Sequence, residues 1–227
     1  MSEKGNVGDR RNSQDKPLDK SVQNQIVQQE DMQLVLEVKK GNRNAFSELV
    51  RKHQKSLLRL CMRFVKDINS AQDIAQDTFI KAFEKIESFE GRSSFKSWLF
   101  QIGVNTAKNK LRDQFYRTSS IDDMEFSTPP IAEMALVENV VGQMLRREVE
   151  KLPFKQKTAL VLRVYEDMSF AEIATIMECP YDTAKANYRH ALLKLKDAFS
   201  AHADFRKIAF ESINSLSDIN QQLMEAE

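Results

Sequence analysis

The sequence predicts an all-α fold: two helical domains joined by a flexible linker, the second containing a helix-turn-helix. Three observations carry this expectation. Apolar residues recur at spacings of three and four through most of residues 31–199, as on one face of a helix. Six Gly and five Pro in 227 residues leave few backbone breakers to interrupt that pattern. One stretch without periodicity, "RTSSIDDMEFSTPP" over 117–130, is rich in Ser, Thr, Pro and acid and separates the periodic regions.

Residues 1–28 are polar and lack an apolar segment, so they read as a disordered N-terminal extension rather than a secretory signal. The first domain, 29–116, opens with a helix from Asp31 to Lys40, stopped by Gly41. A second helix, Asn44 to Val65, aligns Phe46, Val50, His53, Leu57, Leu60 and Phe64. A third, Ser70 to Phe89, aligns Ala71, Ile74, Ala75, Phe79, Ala82, Phe83 and Ile86, with Ser70 and Asp73 resembling a cap. "ESFEGRSS" breaks it, and a fourth helix runs from Phe95 to Tyr116 with Phe95, Leu99, Ile102 and Thr106 on its buried side.

After the linker, 117–130, the second domain covers 131–199. Ser169 and Glu172 have the spacing of a capping box. "ECPY" ends that helix, because Pro180 has no amide donor and disfavours helix at Cys179. The next helix opens at Asp182 as N-cap and buries Ala184, Tyr188, Ala191 and Leu195, leaving Lys185, Ala186, Arg189 and His190 outside. A short helix, a tight turn and a helix with a basic outer face form a helix-turn-helix, whose second helix ordinarily enters the major groove of DNA. The tail, 200–227, has helical apolar spacing at Phe205, Ile208, Ile213, Leu216, Ile219 and Leu223.

Composition narrows the function. Two distant cysteines and three scattered His have no zinc spacing, so no metal or other cofactor is expected. No apolar run approaches the roughly 18 residues of a membrane span, so no membrane insertion is expected. No phosphate-binding Gly loop, nucleophile-elbow Ser or two-His metal helix occurs, so the chain reads as a binding protein and not an enzyme. Yet 34 Lys+Arg against 33 Asp+Glu leaves a net charge of +1, whereas DNA affinity rests largely on phosphate neutralisation.

Helix four carries a second stripe: Trp98, Gln101, Asn105, Lys108 and Arg112. Its aromatic ring, amides and cations suit stacking, base-edge hydrogen bonding and phosphate contact on a melted strand. The plainer reading is a solvated face with Trp98 half in the core. Phe89 and Gly91, in the preceding loop, could wall a pocket for an extruded base. Helix three sets Gln72, Asp73, Gln76, Asp77 and Lys81 beside its apolar stripe, either as a solvated face or as a protein-docking face.

Four stretches occur in order: "AFSELVRKHQKSLLRLCMRFVKD", "SAQDIAQDTFIKAFEKIESFEG", "SSFKSWLFQIGVNTAKNKLRD" and "LPFKQKTALVLRVYEDMSFAEIATIMECPYDTAKANYRHALLKLK". Together they resemble the extracytoplasmic-function (ECF) sigma factors of the sigma-70 family, promoter-recognition subunits of bacterial RNA polymerase. The resemblance implies core polymerase (its β′ coiled coil and its β subunit), promoter DNA and an anti-sigma factor as partners, and a cytoplasmic location. It implies core binding by Asp73, Gln76, Asp77 and Phe79. Contacts to the −10 element fall to Phe89, Gly91, Trp98, Ile102, Asn105, Lys108, Asn109 and Arg112, and −35 contacts to Lys185, Ala186, Arg189 and His190. The chain departs from the family pattern at Ala186, Asn187 and His190, and at Glu90, where a basic residue is common. A subunit that borrows the polymerase's grip on DNA needs little net charge of its own. The alternative is a stand-alone helix-turn-helix regulator, which would dimerise and bind a palindrome.

Overall fold

The computed structural model describes residues 20–65, 67–118 and 140–201, and among these the regular structure is helical throughout. In order the helices are α1 (Lys20–Lys39), α2 (Arg43–Met62), α3 (Ile68–Glu84), a 3-10 turn (Ile86–Ser88), α4 (Phe95–Thr118), α5 (Val140–Glu150), α6 (Phe154–Val164), α7 (Phe170–Ile176) and α8 (Tyr181–Ala201). The linker expected at 117–130 falls outside the described residues from 119 onward, as does the tail from 202.

Several boundaries differ from expectation. Helix α1 starts at Lys20, so residues 20–28 are helical rather than a disordered lead. This run is Gln-rich and free of Pro and Gly, which favours helix, but Ile26 and Val27 remain exposed and give little periodic signal. The cap of α3 is Asp67, not Ser70: its Oδ1 accepts the Ser70 amide at 2.7 Å. That amide hydrogen bond holds the Asp67 carboxyl below its usual pKa range. The helix stops at Glu84, and Ile86–Ser88 form the separate 3-10 turn. Helix α8 begins at Tyr181, with the Pro180 carbonyl accepting the Ala184 amide, so Asp182 lies inside the first turn.

Helix α4 is the axis of the fold, packed by α2, α3 and α7. It is therefore buried over more of its surface than one stripe: Phe100, Val104 and Ala107 are inside along with Phe95, Leu99 and Thr106, while Ile102 is half-buried. Each fully buried Phe or Leu contributes roughly 1.5–3 kcal/mol over its exposed state. Helix α1 is tied to α2 by a buried polar cluster. The Asp31 carboxylate, 2% exposed, meets His53 Nε2 at 2.8 Å and Lys52 Nζ at 2.7 Å. Burial opposes ionisation of Asp31, but hydrogen bonds from His53 and Lys52 outweigh it and hold the carboxyl below its usual range.

Helices α5–α8 pack on α1–α4 directly. Lys96 Nζ pairs with the Glu166 carboxylate at 2.8 Å, and Glu166 is 8% exposed. Gln101 donates to Glu178 Oε1 at 2.8 Å. The Arg63 guanidinium lies 3.8 Å over the Tyr165 ring, and the Phe64 and Phe154 rings are 5.1 Å apart.

Candidate nucleic-acid interface

The loop between the 3-10 turn and α4 rests on aromatic rings. Phe89, 4% exposed, packs edge-on to Phe95 with ring centres 6.0 Å apart and lies 5.1 Å from Trp98. His53 supports Phe95 from below at 5.4 Å. Phe89 is thus a floor to the loop rather than a surface wall. Gly91 turns the chain with φ +72°, a conformation that only glycine adopts without strain. Ser94 then starts α4: its hydroxyl accepts the Ser97 amide at 3.1 Å.

From that loop α4 presents a polar stripe. Asn105, Lys108, Asn109 and Arg112 are exposed, Trp98, Gln101 and Ile102 are half-buried, and Gly91 is exposed at the stripe's upper end. The structure therefore gathers the residues expected at a melted strand onto one helix and its leading loop. Gln101 is the exception in availability, because its amide is already engaged by Glu178. In the loop itself, Glu90 pairs with Arg92 and offsets the nearest cation.

The second surface lies on α8. Ser169 and Glu172 form a reciprocal cap at the start of α7, with bonds of 3.3 and 2.8 Å. Glu178, at φ +50°, reverses the chain, and the Cys179 amide closes the turn on the Ala174 carbonyl at 3.0 Å. Ala184 and Ala191 are fully buried and Leu195 nearly so, while Tyr188 packs against Phe170 at 5.5 Å. Lys185, Ala186, Arg189 and His190 all face solvent. Asn187 bonds back to its own helix, through Nδ2 to the Thr183 carbonyl at 2.8 Å, which withdraws its amide from the outer face.

A third surface lies on α3. Asp73, Gln76 and Asp77 are exposed, and Asp73 pairs with Lys110 of α4 at 2.8 Å. Phe79 is half-buried and lines an open groove of ≈ 820 Å³ between α2 and α3, together with Phe46, Val50, Leu58, Ile80 and Phe83. Sequence periodicity assigns Phe46 and Phe83 to the core and passes over Ile80. In the structure Phe83 is 40% and Ile80 50% exposed. The available signal was the width of the α3 apolar arc, which runs through Phe79, Ile80, Ala82 and Phe83 and exceeds what one packing face can cover.

The family model for Sigma-70 region 2 matches residues 49–115, and that for Sigma-70, region 4 matches residues 142–195. The RNA polymerase sigma-H factor of Pseudomonas aeruginosa is 38% identical over 172 residues, 71% of this chain and 89% of that protein. The ECF RNA polymerase sigma-E factor of Haemophilus influenzae is 36% identical over 167 residues, 69% of this chain and 88% of that protein. Among solved structures, the sigma factor RpoE of Bartonella quintana, co-crystallised with the anti-sigma factor NepR, shares the fold with a TM-score of 0.57. It is 23% identical and covers 69% of this chain and 97% of its own.

Proposed function

The chain belongs to the ECF sigma factors of the sigma-70 family, and from that premise we infer how it directs core RNA polymerase to promoters. One surface serves each task. The groove and acidic edge of α3 (Phe79, Ile80 and Phe83 with Asp73, Gln76 and Asp77) hold the β′ coiled coil. The α4 stripe and the Gly91 loop receive the melted −10 strand. The outer face of α8 reads the −35 duplex. The observation that carries this reading is the pairing, in one chain, of two unlike polar surfaces suited to DNA: amides and cations beside an aromatic-floored loop, and a solvent-facing helix-turn-helix helix. A dimeric regulator would use only the second surface.

The chain then supplies base recognition while catalysis stays with the polymerase, in the cytoplasm. Unstacking a base costs on the order of a few kcal/mol, which capture by the loop offsets. Affinity for phosphates comes mostly from the larger enzyme, consistent with a net charge of +1. Run-off transcription tests the whole reading: core polymerase plus this chain should give promoter-specific RNA, and its absence would reject the function. Ile80→Asp should weaken core binding by roughly tenfold, as loss of one apolar anchor does, with little change in melting temperature. An anti-sigma factor is a further candidate partner, to be sought by co-purification from cells.

A further inference from the structure

Helix α1 reaches the −10 loop at two points. Lys39 Nζ donates to the Glu87 carbonyl at 3.0 Å and the Phe89 carbonyl at 2.8 Å. These are carbonyls at the end of the 3-10 turn, where intrahelical partners run out. One full step further, Gly91 folds back over Met32: a Cβ at Gly91 would lie 3.1 Å from Met32 Cε. Met32 and Lys39 are seven residues apart, two turns of α1, so they share a face, with fully buried Val35 between them. The same helix is anchored to α2 by the Asp31, His53 and Lys52 cluster. Residues 20–39 lie wholly outside the segment, 49–115, that matches Sigma-70 region 2.

We propose that α1 is a specificity support: Lys39 and Met32 are positioning residues that fix the Phe89–Gly91 backbone where it receives the −10 base. The inference rests on the proposed −10 role of that loop. The two Lys39 bonds are charge-assisted and run from a helix to the end of the 3-10 turn, where Phe89 otherwise meets α4 by the apolar packing of its ring on Phe95 and Trp98. The Glu87 carbonyl is exposed and the Phe89 carbonyl part-buried, so water can replace Lys39 at the first when the side chain is removed, and the fold should survive its loss. Base preference does not, because discrimination depends on sub-ångström placement of the receiving backbone.

The test uses the full chain as holoenzyme and a promoter library randomised through the −10 and −35 elements, from which open complexes are selected and sequenced. Lys39→Met should flatten base preference at the −10 position read by the loop by about tenfold, the scale of one mismatched contact, and leave −35 preference intact. Lys39→Arg should restore it. Trp98 is the single tryptophan and lies against Phe89, so its acrylamide quenching should rise in Lys39→Met while the thermal midpoint stays put. Met32→Ala, which removes the second seat, should flatten the same position. Unchanged −10 preference in both variants, or a uniform fall in yield with preferences preserved, overturns the proposal. If the wild-type holoenzyme selects no promoter at all, the function itself fails, and this inference with it.

Discussion

The two halves of the molecule hold their proposed DNA-binding surfaces in opposite mechanical situations. In α1–α4 the Phe89–Gly91 loop is held by interactions between residues 48 and 50 apart in sequence, Lys39 with Glu87 and Phe89, above a floor of stacked rings. In α5–α8 the bonds that shape the helix-turn-helix span three to five residues: the Ser169–Glu172 box, the Cys179–Ala174 closure and the Asn187–Thr183 bond. Its separate core is small, Leu152, Leu160, Ala191 and Leu195, and Ile173 and Ile176 belong instead to the apolar cluster shared with the first half. A duplex groove presents a regular surface that a locally built helix can enter. A single extruded base has no such frame, so a loop proposed to receive one has to be framed from distant parts of the chain.

The largest expected effect probes that long-range frame. Asp31→Asn should destabilise the chain on the order of 3 kcal/mol at neutral pH, as removal of one partner of a buried ion pair does. Because the Asp31 pKa is depressed in the folded state, the wild-type advantage should be complete above the unfolded carboxylate value of about 3.9. It should shrink as pH falls through the lower folded value; a denaturation series from pH 7 to 3 measures it. An equal deficit at every pH would break the contrast. Next, Lys185→Ala with Arg189→Ala should cost about 2 kcal/mol in −35 occupancy, one good base contact being worth roughly 1–3 kcal/mol, with folding unaffected because both side chains are exposed. Footprints over the −35 element decide it. Asn105→Ala should slow −10 opening by about tenfold, a single lost base-edge contact, while core binding stays normal; permanganate reactivity reports the opened bases. The smallest effect concerns the seam. Lys96→Gln leaves the Glu166 carboxylate, 8% exposed, with a neutral amide as partner, should cost about 1 kcal/mol, and should raise the scattering radius if the halves part.

What the sequence shows well is what local chemistry dictates. Ser169 before Glu172, Pro180 after Cys179, and the Ala184, Tyr188, Ala191 and Leu195 spacing each act within one or two turns, and the structure realises them. The α4 polar stripe is legible for the same reason. Its surroundings are not. Gln101 looks free on a helical wheel, and only the approach of a residue 77 positions away engages it. Phe83 looks like core by spacing, because periodicity shows that a face is apolar but not that anything covers it. Likewise Ser70 is a plausible cap, and only backbone geometry reveals that Asp67 takes its amide.

The turn between α7 and α8 has a practical consequence. The chain contains two thiols and one indole. Burial pushes the Cys61 thiol up to about 12, which leaves it inert at ordinary labelling pH. Cys179 is half-buried and follows Glu178, which bonds across the seam to Gln101, a residue three positions along α4 from Trp98. A dye on Cys179 would therefore form a natural donor–acceptor ruler with Trp98, and loss of energy transfer would report any separation of α4 from the α7–α8 turn.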